Sequence, residues 1–253
     1  MIPLRDDVPS RTVPFVNYAL IAINVVVFLF ELSLGLRLEG FFQRAAVIPA
    51  LFTGGDGSLG VGEVIVTSLD PSLGGRVLTS MFLHGGWAHL LGNMLYLWIF
   101  GDNVEDRLGH VRYVFFYLVC GWAASYAHVW SSPASSVPAI GASGAIGGVL
   151  GAYLALYPRA RVVTLVPLGF FLQMLSIPAF FFLGFWFLQQ FLMGGMSLGV
   201  DAESGGVAWW AHIGGFLAGL ALVWLLQKRD RQPERRDAWW QEQRWERRPH
   251  RGW

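Results

Sequence analysis

The chain has little charge, a single cysteine and no internal repeat. Asp, Glu, Lys and Arg make up 14% of its 253 residues, against roughly 25% in ordinary soluble domains. Disorder needs abundant charge and few aromatics, and is excluded; a soluble enzyme of ordinary composition is disfavoured. Cys120 stands alone, so no intrachain disulfide can form, and packing is its expected role. The net charge of +1 leaves no global electrostatic footprint for a nucleic acid, and no such partner is expected. H-E-x-x-H is absent, which argues against a zinc protease, and no pair of membrane aspartates is available for an aspartyl protease. Without a repeat, the inverted-repeat transporter reading also loses support.

What the chain does have is apolar residues, 54% of the total, gathered in runs. The charges gather too: from Lys228 onward, the last 26 residues hold 14 of the 35. Six apolar segments stand out, near Pro14–Gly35, Val77–Phe100, Arg112–Trp130, Ala142–Tyr157, Phe170–Gly194 and Val207–Gln227. Each is long enough, or nearly so, to cross about 30 Å of hydrocarbon as a helix. Lipid offers backbone groups no outside partner, so helices are the economical form, and the alternation of a barrel is missing. The expectation is an all-α polytopic membrane protein, one six-helix domain over residues 14–227. A segment 1–13 would precede it and a charged, Trp-rich tail 228–253 would follow. No A-x-A-like site follows the first apolar run, so that run should stay as a span and not leave as a signal peptide.

Counting Lys and Arg between the segments gives 15 on one side and 3 on the other. The positive-inside rule then puts both termini in the cytoplasm, with a prokaryotic plasma membrane as the expected location. The connection from Leu36 to Arg76 is rich in Gly and Pro and has room for short interfacial helices. The tail reads as solvated, or as touching anionic lipid.

Polar residues inside apolar spans are costly and therefore informative. His89 and Asn93 on the second span are four apart and share one helix face, as glue between helices or as a functional pair. His84, nearer the start of that span, reads as a loop-fixing residue. On the fourth span Ser143 lies among glycines, and from there to Tyr157 are only 15 residues, about 22 Å of helix. That is short of the hydrocarbon thickness, so the serine can open a sunken helix whose free N–H groups suit an oxyanion. His212 lies near the start of the sixth span. Spans alternate in direction, so His89, Asn93, Ser143 and His212 fall at similar depth on helices entering from the same face. A serine with a neutral histidine as base is the apparatus of acyl transfer, and a dyad avoids a buried carboxylate. Gly144, Gly148, Gly215 and Gly219 form small-residue stripes suited to close helix packing. Leu222 is expected to face lipid.

With these residues in place, the sequence resembles the rhomboid intramembrane serine proteases. The resemblance rests on Gly141-Ala142-Ser143-Gly144, on Ala211-His212-x-x-Gly215-x-x-x-Gly219 and on His89-x-x-x-Asn93, and it covers about Pro14 to Gln227. It implies Ser143 as nucleophile and His212 as general base. It also implies an oxyanion site from His89, Asn93 and backbone amides, Ser143's among them. His84 and the acid–base pair Glu105-x-Arg107 would be structural. Neither metal nor nucleotide is implied, and the partners would be transmembrane helices and the bilayer. Some family members carry an aromatic four residues after the serine, stacked on the histidine. Here that position is Gly147, so the sequence leaves His212 without that orienting ring. Residues 37–76 also lack the tryptophan that some members carry there.

Overall fold

The apolar runs form helices with bounds set by glycine, proline and a few buried polar groups. A computed structural model describes residues 1–54, 71–168, 171–197 and 207–228. Strand β1 (Ile2–Asp6) leads into α1 (Phe15–Ser33), then the short α2 (Leu38–Ala45), α3 (Pro49–Thr53) and α4 (Pro71–Ser80). Next come α5 (Trp87–Leu108), α6 (His110–Ser131) and α7 (Ser143–Leu156). Strands β2 (Arg161–Leu168) and β3 (Phe171–Pro178) follow, then α8 (Ala179–Ser197) and α9 (Trp209–Leu226). Among the described residues three helices, α1, α8 and α9, are long and apolar enough to cross a membrane, while α7 is apolar but shorter. The tail reading falls on residues 229–253, outside the described residues.

Two expectations are corrected. The chain is mostly but not entirely helical: β1, β2 and β3 make an antiparallel sheet in that order, pairing Ile2 with Leu165 and Val162 with Ile177. Val162, Val163, Thr164 and Val166 are β-branched and fit a pleated surface. Val162 and Thr164 point into the protein, fully buried. The fifth apolar run is therefore split, its first residues forming β3 and its helix starting at Ala179. The second run is also broken. Helix α4 stops at Ser80 and α5 starts at Trp87, so His84 lies on the connection and not on a helix. There Glu31 of α1, itself buried, accepts the backbone N–H of His84 at 3.2 and 3.3 Å.

Helix α7 is the axis of the bundle. Every residue from Gly144 to Tyr153 is buried, against α5, α6, α8 and α9. Its contact with α9 is almost bare of side chains. A Cβ on Gly215 would land on the carbonyl oxygen of Gly144, and one on Gly219 on that of Gly148. In the other direction a Cβ on Gly151 would strike the carbonyl of Phe216. Gly144 and Gly148 also admit Ala124 and Cys120 of α6, and Cys120 is buried packing as expected. Leu222 is half-buried against the core, whereas Leu225 is 79% exposed.

The far end of α7 is polar. Tyr153 donates to Asp6 of β1, and Asn103 of α5 donates to the same carboxylate at 3.1 Å. Lys228 N–H donates to the Arg107 carbonyl at 3.0 Å, and Arg112 to that of Leu226 at 3.1 Å. Buried Glu105 accepts the N–H groups of Val16 and Asn17 at 3.1 and 2.7 Å, satisfying two orphan donors at the start of α1. It also pairs with His110. Among the described residues no ion pair joins Glu105 to Arg107, whose guanidinium donates to Gln227 at 3.4 Å. The two therefore hold separate contacts. Buried Asn17 donates to the Leu97 carbonyl at 2.9 Å and accepts from Tyr113 at 3.0 Å, tying α1 to α5 and α6.

The sheet's attachment predicts a pH dependence. Burial, with Asp102 and Asp7 nearby, pushes the Asp6 carboxyl up from 3.8 to about 6. The folded state then binds a proton that the unfolded chain has already lost, so this contribution to stability is full below about pH 4 and is lost as pH rises to about 6. Thermal melts of the detergent-solubilised protein should show that decline. Asp6→Asn should flatten it, and an unchanged pH slope in the variant would refute the assignment.

Candidate active site

Ser143 opens α7 directly after Gly141 and Ala142, and no side chain caps the first turn. The turn exists because Gly141 takes φ +130°, and because a Cβ there would meet His89 Nε2 at 2.7 Å. Glycine is the residue that satisfies both conditions. Gly141 N–H donates to the Ser80 carbonyl at 2.9 Å, and Ala139 pairs with Val47, so the segment before Ser143 is held by protein on its way into the bundle.

On α9, His212 faces Ser143, with Ser143 Oγ and His212 Nε2 2.8 Å apart. The bare helix contact permits this distance, since ordinary side chains at such a crossing keep axes 8–10 Å apart. Gly147, where an aromatic could have stood, has the His212 carbonyl 2.9 Å from where its Cβ would lie, so α9 already fills that space. The rings beside His212 come from elsewhere: Trp186 of α8 at 5.9 Å between centroids, and Trp209 edge-on at 6.3 Å. The other ring nitrogen, Nδ1, lies 2.7 Å from Oε1 of buried Gln190 on α8.

His89 and Asn93, one turn apart on α5, line the same cavity of about 900 Å³ as Ser143, His212, Trp186 and Trp209. Asn93 is buried, and its amide nitrogen has no hydrogen-bond partner among the described residues. A buried donor left unpaired near the serine is a group available to a developing negative charge. His89 Nδ1 accepts the Gly85 N–H at 3.4 Å, which leaves Nε2 facing Gly141 and the serine. His84 packs edge-on to His89, 5.1 Å between centroids, and its Nδ1 lies 3.2 Å from the Phe82 carbonyl.

The structure therefore brings Ser143, His212, His89 and Asn93 around one cavity, with His84 behind it. It places Glu105 and Arg107 at the other end of α5, among the N-terminal segment and the end of α9. Sequence reasoning missed Gln190 and Trp186. They lie in the fifth run four residues apart, and the polar Gln189-Gln190 pair in an apolar span was the available signal. Among the described residues no three His, Cys, Asp or Glu side chains gather as metal ligands would.

A family model described as the Rhomboid domain matches residues 74–229. The chain is 28% identical over 225 residues, 87% of its length, to Rhomboid protein 1, mitochondrial, of Saccharomyces cerevisiae, and covers 56% of that protein. It is 41% identical over 107 residues to Rhomboid protease GluP of Bacillus subtilis, 38% of this chain and 20% of that one. With Rhomboid-like protein 11, chloroplastic, of Arabidopsis thaliana it shares 31% over 157 residues, 60% of this chain and 52% of the relative. The chain thus spans about half or less of the length of these relatives. They come from a mitochondrion, a chloroplast and a bacterium, so they do not favour the prokaryotic plasma membrane expected above. The apolar helices and the matched domain make the chain an integral membrane protein.

The bare α7–α9 contact predicts that Gly215→Val separates Ser143 from His212, with both residues still present. Labelling of Ser143 by a fluorophosphonate should fall by about 10²-fold, the scale of an ångström's misplacement. Leu225→Phe, on the exposed face of α9, should label as wild type does. Equal labelling of Gly215→Val would refute the close-contact account.

Proposed function

The chain belongs to the rhomboid family, and from that premise we propose that it is a serine-type endopeptidase that cleaves transmembrane helices inside the bilayer. The observation that carries this reading is the 2.8 Å contact between Ser143 and His212 in an otherwise apolar bundle. Six crossings form the protease domain, residues 14–227: α1, α5, α6, α7, α8 and α9. Both termini lie on the side rich in Lys and Arg, and the catalytic cavity opens toward the opposite, outer face.

In this reading His212 takes the proton of Ser143 as the Oγ–carbon bond forms on the scissile carbonyl. His89, Asn93 and the Ser143 backbone N–H donate to the oxyanion. The unpartnered amide of Asn93 supports its place in that set. When the C–N bond breaks, His212 returns the proton to the leaving amine; water then attacks the acyl-enzyme by the same route. Peptide bonds in an intact helix are shielded, so substrates with small or helix-destabilising residues near the scissile bond are favoured.

The reading is tested by reconstituting the purified protein in liposomes with a model transmembrane substrate. Wild type should cleave; Ser143→Ala and His212→Ala should each fall to background while keeping their helical circular dichroism. Full turnover by Ser143→Ala would sink it, and solute flux without cleavage products would point to transport instead.

Asn93 has its own expected outcome. Asn93→Ala should lower kcat by about 10²-fold, the scale of a lost oxyanion donor, with little change in the melting temperature. A large loss of stability with near-normal specific activity would make Asn93 helix glue.

A further inference from the structure

We propose that Gln190 is the positioning residue of this site: its amide oxygen accepts from His212 Nδ1–H and so leaves Nε2 free to take the proton of Ser143. The inference rests on the dyad reading above and adds a member to it. Three observations carry it. His212 Nδ1 is 2.7 Å from Gln190 Oε1, in hydrogen-bond range. Gln190 is buried at 4% exposure, so water does not compete for the amide. The amide's other end is committed as well, Nε2 donating to the Trp186 carbonyl at 3.2 Å.

The chemistry of these groups sets the direction of each bond. A flipped amide would aim its oxygen at the Trp186 carbonyl, two acceptors face to face, so Oε1 is the atom toward the ring. A carbonyl oxygen only accepts, and Nδ1 must carry the hydrogen. A neutral imidazole with its proton on Nδ1 has a bare Nε2, which is the atom beside Ser143 Oγ. When Ser143 gives up its proton, Nε2 gains it and the Nδ1–H bond to Gln190 strengthens as the ring becomes cationic. Gln190 itself neither gains nor loses a proton.

A glutamine suits the place. A carboxylate here would have to shed its water deep in the bundle with no cation beside it. Helices α7 and α8 carry no Asp, Glu, Lys or Arg, and the cavity lining has no carboxylate among the described residues. The titratable groups around His212 are His89 from α5 and His128 from α6, with Tyr96 further along the cavity. Trp186 adds a second contact from one turn earlier on α8, its ring beside the imidazole. Helix α8 thus supplies the orienting groups that Gly147 leaves to it.

The test uses the full-length protein with two variants, Gln190→Met, close in shape without the amide, and Gln190→Glu, which keeps an acceptor oxygen. Gln190→Met should lose about 10²-fold in kcat with KM little changed. Gln190→Glu should recover part of that rate, and the acid limb of its pH–rate profile should move to higher pH, since a carboxylate stabilises the imidazolium. His89, His128 and Tyr96 are untouched in both, so a moved limb reports His212. Nitrogen-15 histidine NMR gives a readout free of turnover: in Ser143→Ala, His212 should carry its proton on Nδ1, and adding Gln190→Met should redistribute it. A melting-point loss with kcat, acid limb and tautomer all as in wild type would overturn the proposal and leave the dyad standing. Wild type and Ser143→Ala cleaving equally would instead refute the dyad. If Gln190→Met fails to fold, the tautomer in Ser143→Ala decides; a proton on Nε2 overturns the proposal.

Discussion

Two helix backbones in direct contact, α7 against α9, hold this site together. Gly215 and Gly219 lie under the carbonyls of Gly144 and Gly148, and Gly147 and Gly151 under those of His212 and Phe216. Lipid tails are as apolar as the side chains they would replace, so close packing of small residues supplies much of what joins helices in a bilayer. The same closeness lets two short side chains, serine and histidine, meet without either helix bending toward the other. The arrangement leaves no room on α7 for an orienting ring at position 147, and the support of His212 comes from Gln190 and Trp186 of α8 and from Trp209 at the start of α9.

Polarity is divided between the two ends of α7. At its start the cavity holds Ser143, His89, Asn93 and His212, with no carboxylate, lysine or arginine in its lining among the described residues. At its finish Tyr153 meets Asp6, and the sheet, Glu105, Arg107, Arg112 and Lys228 collect there. Fixed charges in hydrocarbon are expensive, so a bundle that keeps polar groups among apolar helices does best with amides, hydroxyls and imidazoles. Glu31 is the exception, an acid on α1 held by the backbone N–H of His84. Through it the first helix braces the connection from which α5 and His89 begin.

The approximate bounds of α1, α6, α7 and α9 and the four residues around the cavity were legible in the sequence, because apolar runs and intramembrane polar residues are local signals. The sheet was not: Val162–Val166 is too short and apolar to be told from a helix segment by periodicity, and its partner β1 is 159 positions upstream, counting Ile2 against Arg161. The apolar run continues through Met81, Phe82 and Leu83, and the local signal for the break at residues 81–86 was the pair Gly85-Gly86. The carboxylate of Glu31, from another helix, holds the backbone there. The family resemblance implied Glu105 and Arg107 as a pair, yet each holds a partner from a different part of the chain.

By itself the sequence determined that the chain is a membrane bundle, which residues it keeps polar at depth, and that glycines line the fourth and sixth runs. Those are consequences of what each residue type costs in hydrocarbon, whatever its neighbours. Tertiary structure alone decided which nitrogen of His212 faces the serine, that Gln190 takes the other, and that the Asn93 amide nitrogen meets no partner among the described residues. Such pairings depend on the rotation of one helix against another, and no spacing along a single helix encodes that rotation.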